Sequence, residues 1–306
     1  MTDASFPTRK DFLLALAGAA LLPQALGAQS TAGKLLIVVA HPDDEYAFAA
    51  TTYRLVRELG WTADQVTITD GESGYRYAAL AEVFYGAGLA GDSEGRARLA
   101  AIRKQECVRA GKVLGIRQHY FLDQKDLGFE TDSSTADSGN WDRPHLRAFL
   151  TELLSRELYQ AVFTLLPTPA THGHHRAATI LALESIAALP ASQRPLVFGV
   201  EPGARADEPE VFPGLPSQPL TRTVSAEPFL RFDRATSFGF HNSLNYQIVV
   251  NWVIAEHKTQ GLFQTEYGKH EWEQFWLFEA GGPDTVSRAQ QFGRHVNPFP
   301  ERTAVR

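Results

Sequence analysis

The sequence predicts a doubly wound α/β fold, a mostly parallel sheet with helices on both faces. Three observations predict it. The run Lys34-Leu35-Leu36-Ile37-Val38-Val39-Ala40 is almost wholly apolar, as a strand covered on both faces requires. From there to Glu201, short apolar segments alternate with helix-like ones. Two polar clusters fall at the carboxyl ends of such segments, where open α/β sheets collect ligands.

Pro42 suits the first turn of a helix, and Asp43, Asp44 and Glu45 suit its positive dipole end, so a helix is expected over residues 42–59, before Gly60. Residues 65–69 read as a second strand, 94–115 as a long helix and 119–122 as a short third strand. A helix over 144–158 and a strand over 160–166 follow, then a helix over 174–189 and a strand over 196–201. This completes a Rossmann-like alternation. Residues 204–221, rich in Pro, Glu and Gly, read as a surface excursion. Residues 237–260 read as a helix carrying Phe240, Leu244, Ile248 and Trp252, and aromatics are dense over 263–278. With no repeat, low-complexity tract or linker, residues 29–306 are expected to form a single domain with a less regular carboxy-terminal part.

The 306 residues, 44% of them hydrophobic, suffice for one sizeable core. A net charge of −6 and a pI near 5.9 give no basic field for phosphate backbones, which argues against a nucleic-acid partner. The single cysteine, Cys107, shares a helical stretch with Leu99, Ile102, Ala110 and Val113 and reads as a small core residue. One cysteine excludes an internal disulfide and a multi-thiolate site, so any transition metal must rest on imidazole and carboxylate. At the amino terminus, Arg9 and Lys10 precede the apolar run 12–22 and the small residues Ala25-Leu26-Gly27-Ala28. That is the layout of a signal peptide over residues 1–28, with Thr8-Arg9-Lys10-Asp11-Phe12-Leu13-Leu14 similar to a twin-arginine signal. It predicts an exported protein, periplasmic or extracellular, without a permanent membrane span once the signal is removed.

His41 directly follows the first strand; His172-Gly173-His174-His175 follow the strand at 160–166 and the loop 167–171. A hydrolytic zinc site needs about three protein ligands and one position open to water. His41, Asp44 and one distant histidine supply that set, and Asp43 can stay outside it to accept a proton. Acidic residues at a helix start serve the dipole alone in many proteins. Here a histidine and a proline precede three carboxylates at the end of a buried strand, which calls for a balancing cation. His172 and His175, three apart, share one face of a helix start, while His174 would point away.

Ala40-His41-Pro42-Asp43-Asp44-Glu45 resembles the signature of the zinc-dependent LmbE-like (PIG-L) de-N-acetylases, and His172-Gly173-His174-His175 resembles the family's His-x-Asp-His motif. Thr69-Asp70-Gly71-Glu72-Ser73-Gly74, Arg103-Lys104-Gln105-Glu106 and Phe121-Leu122-Asp123 sit between them in the family's order, so the resemblance spans residues 34–183. It implies Zn²⁺ held by His41, Asp44 and His175, with Asp43 as general base and His172 stabilising the oxyanion. It further implies removal of an N-acetyl or similar small acyl group from an amino sugar or its conjugate, the partner being a small-molecule or glycan substrate. Glu72, Asp123 and Asp126 would face sugar hydroxyls, and Tyr75, Tyr77, Trp141 or Trp61 would offer a stacking surface. The sequence departs from the family where His174 replaces the acidic residue before the last histidine, which puts the protonation state of His172 in question. His174 is open to three roles: bystander, substrate contact or alternative ligand. Two rival functions are a divalent-metal phosphoesterase using Asp43, Asp44 and Glu45, and a non-catalytic carbohydrate-binding protein on the same fold. The histidines argue against a hard-cation site.

Overall fold

The computed structural model describes residues 33–91, 93–129, 140–261 and 269–297. The chain divides into two units, Met1–Thr31 and Ala32–Arg306, so the segment read as a signal peptide lies outside the described residues. No helix among the described residues is long and apolar enough to cross a membrane.

Five parallel strands form the body of a seven-stranded sheet: β1 (Lys34–Val39), β2 (Thr62–Thr69), β3 (Ile116–Gln124), β4 (Ala161–Leu165) and β5 (Leu196–Gly203), in the spatial order β3-β2-β1-β4-β5. Two later strands extend the β5 edge: β9 (Trp272–Leu277) pairs antiparallel with β5, and β6 (Leu230–Asp233) pairs antiparallel with β9. β1 explains the apolar run with which the sheet begins. Leu35, Ile37 and Val39 bury into one core, and Leu36, Val38 and Ala40 into another on the opposite face.

The helices divide accordingly. α4 (Arg143–Glu157) and α5 (Gly173–Ala187) pack on the second core through Leu146, Leu150, Leu153, Leu181 and Ile186. α6 (Tyr246–Glu256) and α7 (Thr285–Val296) pack on the first through Val249, Val250, Val253, Phe292 and Val296.

Two expectations are corrected and one stretch without an expected element is filled. The first helix is not one helix over 42–59. It runs as a 3-10 turn, Asp44–Phe48, then α1 (Ala49–Tyr53), then a π turn, Arg54–Glu58. The acidic residues do not cap it. Asp44 turns its carboxylate back onto the N–H groups of Ala40 (3.0 Å) and His41 (2.8 Å). The α1 amino terminus is capped instead by Glu273 of β9, which accepts from the N–H groups of Ala50 (2.8 Å) and Thr51 (2.9 Å). Secondly, a 3-10 turn, Glu72–Tyr77, and α2 (Ala79–Tyr85) fill the β2 connection before the long α3 (Ser93–Leu114). Thirdly, residues 237–260 are not a continuous helix. A two-stranded hairpin, β7 (Ser237–Phe238) with β8 (Leu244–Asn245), precedes α6, because His241 and Asn242 hold φ of 50° and 54° and break the helix. The buried face of α6 is Tyr246, Val249, Val250 and Val253, and Trp252 is half exposed. The excursion after β5 is mostly exposed as expected, anchored by the buried ring of Phe212.

Candidate functional site

Strand order reverses between β1 and β4, and both polar clusters emerge there, at the carboxyl ends of those strands. His41 leaves β1 directly, held by the Ala40 carbonyl that accepts from Thr69 N (2.9 Å) and Oγ1 (2.8 Å) on β2. His172 is the N-cap of α5: its Nδ1 accepts from the His174 N–H at 3.0 Å. Cap and helix therefore fix the direction of His174 and His175.

His41, Asp44 and His175 converge. His41 Nδ1 lies 3.1 Å from His175 Nε2 and 3.6 Å from Asp44 Oδ2, and His175 Nε2 lies 3.2 Å from Asp44 Oδ1. Burial works against ionising the Asp44 carboxyl, but the adjacent His175 and His41 rings hold it well below the usual carboxylate range. The far nitrogen of each histidine is also engaged. His41 Nε2 meets His174 Nδ1 at 3.2 Å, and His175 Nδ1 meets Thr171 Oγ1 at 3.3 Å. Imidazoles whose outer nitrogens are fixed in this way present their inner ones as metal ligands do.

A second donor group, His41 with His172 and His174, also lies within ligand distance. It fits a cation less well. His172 Nδ1 spends its lone pair on the His174 N–H, so the neutral ring carries its proton on Nε2 and presents a donor. Burial, with the neighbouring His41, pushes the His172 pKa down to about 2, so the ring is neutral at physiological pH. The question raised by the missing family carboxylate is answered here by burial. His174 is 1% exposed, sits against the Trp141 ring and has Asp126 Oδ1 3.6 Å from its Nδ1. It is thus not where a substrate contact was expected; it stands behind His41, and the carboxylate beside it comes from Asp126.

Asp43 lies beside this group, 6% exposed, with Oδ1 accepting from Arg103 Nη2 at 2.8 Å. Arg103 Nη1 donates to the Gly71 carbonyl at 2.6 Å. This fit requires glycine: a Cβ on Gly71, at φ +73°, would meet Arg103 Nη1 at 2.8 Å, and one on Gly74 would meet it at 2.5 Å.

Of these six motif residues all except His174 line a cavity of about 450 Å³: His41, Asp43, Asp44, His172 and His175. Arg103, Asp126, Tyr77 and Phe129 line it too, and Glu201, Glu210 and Gln260 face it from the carboxy-terminal half. Of the expected sugar contacts, Asp126 is in this wall. Glu72 and Asp123 are not among its lining residues: Asp123 pairs with Lys104, and its side chain is 54% exposed. Trp61 and Trp141 are core residues, Tyr75 sits beneath the Arg96 guanidinium, and Tyr77 alone of the expected stacking aromatics lines the cavity. Sequence reasoning missed Phe129, Glu201, Glu210 and Gln260, which carry no motif. Arg103 was visible only as part of the Arg103-Lys104-Gln105-Glu106 stretch.

Fold and site define a doubly wound α/β protein with a His-Asp-His donor set of transition-metal type at its switch point. A family model described as PIG-L, GlcNAc-PI de-N-acetylase, matches residues 36–186. It is 29% identical over 257 residues to a 1D-myo-inositol 2-acetamido-2-deoxy-alpha-D-glucopyranoside deacetylase of Catenulispora acidiphila, covering 76% of this chain and 74% of that one. It is 28% identical over 168 residues to a probable N-acetyl-alpha-D-glucosaminyl L-malate deacetylase of Bacillus anthracis, which is 54% of this chain and 65% of that protein's length. Among solved structures, N,N'-diacetylchitobiose deacetylase from Pyrococcus horikoshii superposes with a TM-score of 0.51 at 17% identity, covering 92% of this chain and 99% of that one. A 4-carboxy-2-hydroxymuconate hydratase from Pseudomonas putida does so with a TM-score of 0.50 at 18% identity, covering 90% and 91%. These likenesses show the fold, and the hydratase among them means that function must be argued from the site.

Proposed function

We propose that this chain is a zinc-dependent amide hydrolase that removes an acetyl or similar small acyl group from the nitrogen of an amino sugar or amino-sugar conjugate. The observation that carries the reading is the convergence of His41, Asp44 and His175 at a cavity wall, with Asp43 beside them and outside the donor set. Two imidazoles and one carboxylate fit hydrolytic zinc, and these three residues would hold it; when bound, zinc polarises an amide carbonyl and makes water acidic. The names of the two curated relatives support an N-acetylated amino sugar as substrate.

The chain's own groups then have these tasks. Arg103 orients Asp43 through Oδ1, leaving Oδ2 to take a proton from the attacking water and return it to the leaving amine. Neutral His172 donates from Nε2 toward the oxygen on which negative charge develops. His174 and Thr171 hold His41 and His175 in orientation from behind. Export through the amino-terminal segment belongs to the same proposal and is supported by Arg9, Lys10 and the apolar run 12–22.

The test is acetate release from N-acetylglucosamine and its glycosides. Asp43→Ala is expected to abolish turnover while about one zinc per chain stays bound. Activity on phosphate esters with magnesium or manganese would favour the phosphoesterase instead, and sugar binding with no turnover on any acylated amine would favour a binding protein.

A further inference from the structure

Gln260 belongs to a segment that returns to the site from beyond the family-matched residues 36–186. After α6 the chain makes a 3-10 turn, Lys258–Gln260, that is fastened to motif elements at three points. His257 Nε2 meets Glu45 Oε1 at 2.5 Å, both side chains being fully buried. Thr259 donates from N (3.1 Å) and Oγ1 (2.6 Å) to the two oxygens of Glu106 on α3. Gln260 Nε2 donates to the carbonyls of Thr259 (2.9 Å) and Gly74 (3.2 Å).

These two carbonyls fix which way the amide points, since turning it over would set oxygen against oxygen. Gln260 is 3% exposed, yet it is part of the cavity wall. Its Oε1 has no hydrogen-bond partner among the described residues. It stands near Arg103: a Cβ on Gly74 would lie 2.9 Å from Gln260 Oε1 and 2.5 Å from Arg103 Nη1. An unpaired acceptor on a buried side chain of the cavity wall, held rigid by its other end, is suited to receive a donor from a ligand.

We propose that Gln260 Oε1 accepts a hydrogen bond from a ring hydroxyl of the substrate, so that the carboxy-terminal segment selects polyhydroxylated amino sugars over simple N-acyl amines. The inference rests on the amide-hydrolase reading for its choice of substrate class. A buried acceptor discriminates because an analogue without the donor leaves it unpaired.

The test compares wild type with Gln260→Met, using N-acetylglucosamine, its single-deoxy analogues and N-acetylethanolamine, which has no ring hydroxyls. Acetate release gives kcat and KM, and calorimetry gives Kd for N-acetylglucosamine without turnover. Gln260→Met is expected to raise KM and Kd for the sugar about tenfold, to leave kcat within twofold and to leave N-acetylethanolamine unaffected. One deoxy analogue should lose the same factor on wild type and nothing further on the variant. Equal losses on both substrates together with a lowered Tm would mean a purely structural clip and would overturn the proposal, as would no change at all. Should Gln260→Met not fold, crystals of wild type soaked with N-acetylglucosamine decide: a donor within hydrogen-bond distance of Gln260 Oε1 supports it, and its absence refutes it. Wild type that binds the sugar but releases no acetate defeats the hydrolase reading while the Kd comparison still judges Gln260. Wild type that does not bind the sugar overturns the inference about Gln260.

Discussion

Replacing Glu273 by Gln tests how the motif turn is held. Glu273 and Arg234 are both 0% exposed, and Glu273 Oε1 accepts from Arg234 Nε at 3.1 Å and from Ala50 N at 2.8 Å. Its Oε2 accepts from Thr51 N at 2.9 Å and Thr51 Oγ1 at 2.6 Å. Arg234 in turn donates to the carbonyls of Tyr46 (2.9 Å) and Ala47 (3.2 Å), in the turn that carries Asp43 and Asp44. Glutamine removes the negative charge, leaves the guanidinium unbalanced in the core and sets an amide N–H₂ against backbone donors. Breaking one side of a buried ion pair costs about 3–5 kcal/mol. With a urea dependence of about 2–3 kcal/mol per molar, the unfolding midpoint should fall by roughly 1–2.5 M. Tryptophan fluorescence during urea titration measures this, and zinc affinity measured alongside should weaken as the turn loosens. Glu273→Leu with Arg234→Met should cost less than the sum of the two single changes, because the stranded charge is gone. A loss under about 1 kcal/mol for Glu273→Gln would refute the reasoning, since no buried ion pair so fully bonded should be that cheap to break.

Two further outcomes follow from the site. Burial, with Glu210 near it, pushes the Glu201 carboxyl up to about 7. The folded protein then keeps a proton that the unfolded chain releases near 4.5, so stability falls as pH rises from about 4.5 to about 7, by up to about 3 kcal/mol at 1.36 kcal/mol per pH unit. Glu201→Gln should match wild type near pH 4.5 and exceed it at pH 8 in chemical denaturation; parallel stability curves would contradict this. His174→Ala should weaken zinc binding about 10–100-fold in chelator competition by leaving His41 Nε2 without its partner, with activity recovering at saturating zinc. Unchanged affinity would show that His174 orients nothing.

The sheet and the donor set were legible because each depends on local pattern. An apolar run buried on both faces reads as a parallel strand, and the strand ends then place His41 and His172 to His175 at the switch point. What the sequence hid is carried by long-range partners. The break in the first helix depends on Glu273, more than 220 positions away, which caps Ala50 and Thr51 where Asp43 to Glu45 seemed to suffice. The four-residue spacing of Phe240, Leu244, Ile248 and Trp252 imitates a helix face. It fails because Gly239, His241 and Asn242 take positive φ, and the real face is set by what the first core accepts. Position after a strand suggests a site role for Asp123, but Lys104 claims its carboxylate and it does not line the cavity. His174 points away from the face that His172 and His175 share, as its position in the motif implies: it does not line the cavity, and its ring lies against Trp141 behind His41.

These long-range partners share an origin. Every donor to the proposed metal and every proposed proton-handling group comes from residues 41–175, and beside their local supports Arg103, Thr171 and His174 a second set of pinning groups comes from after Glu201. Arg234 grips Tyr46 and Ala47, Glu273 caps α1, His257 meets Glu45, Thr259 holds Glu106, and Gln260 holds Gly74. Glu201, Glu210 and Gln260 form part of the cavity wall outside the family-matched residues. A change in the carboxy-terminal half can therefore alter which molecule fits without touching a donor atom, provided the pinning contacts survive. That arrangement separates the chemistry, read from two short motifs, from the selectivity, which must be read from the contacts of a segment that has no motif.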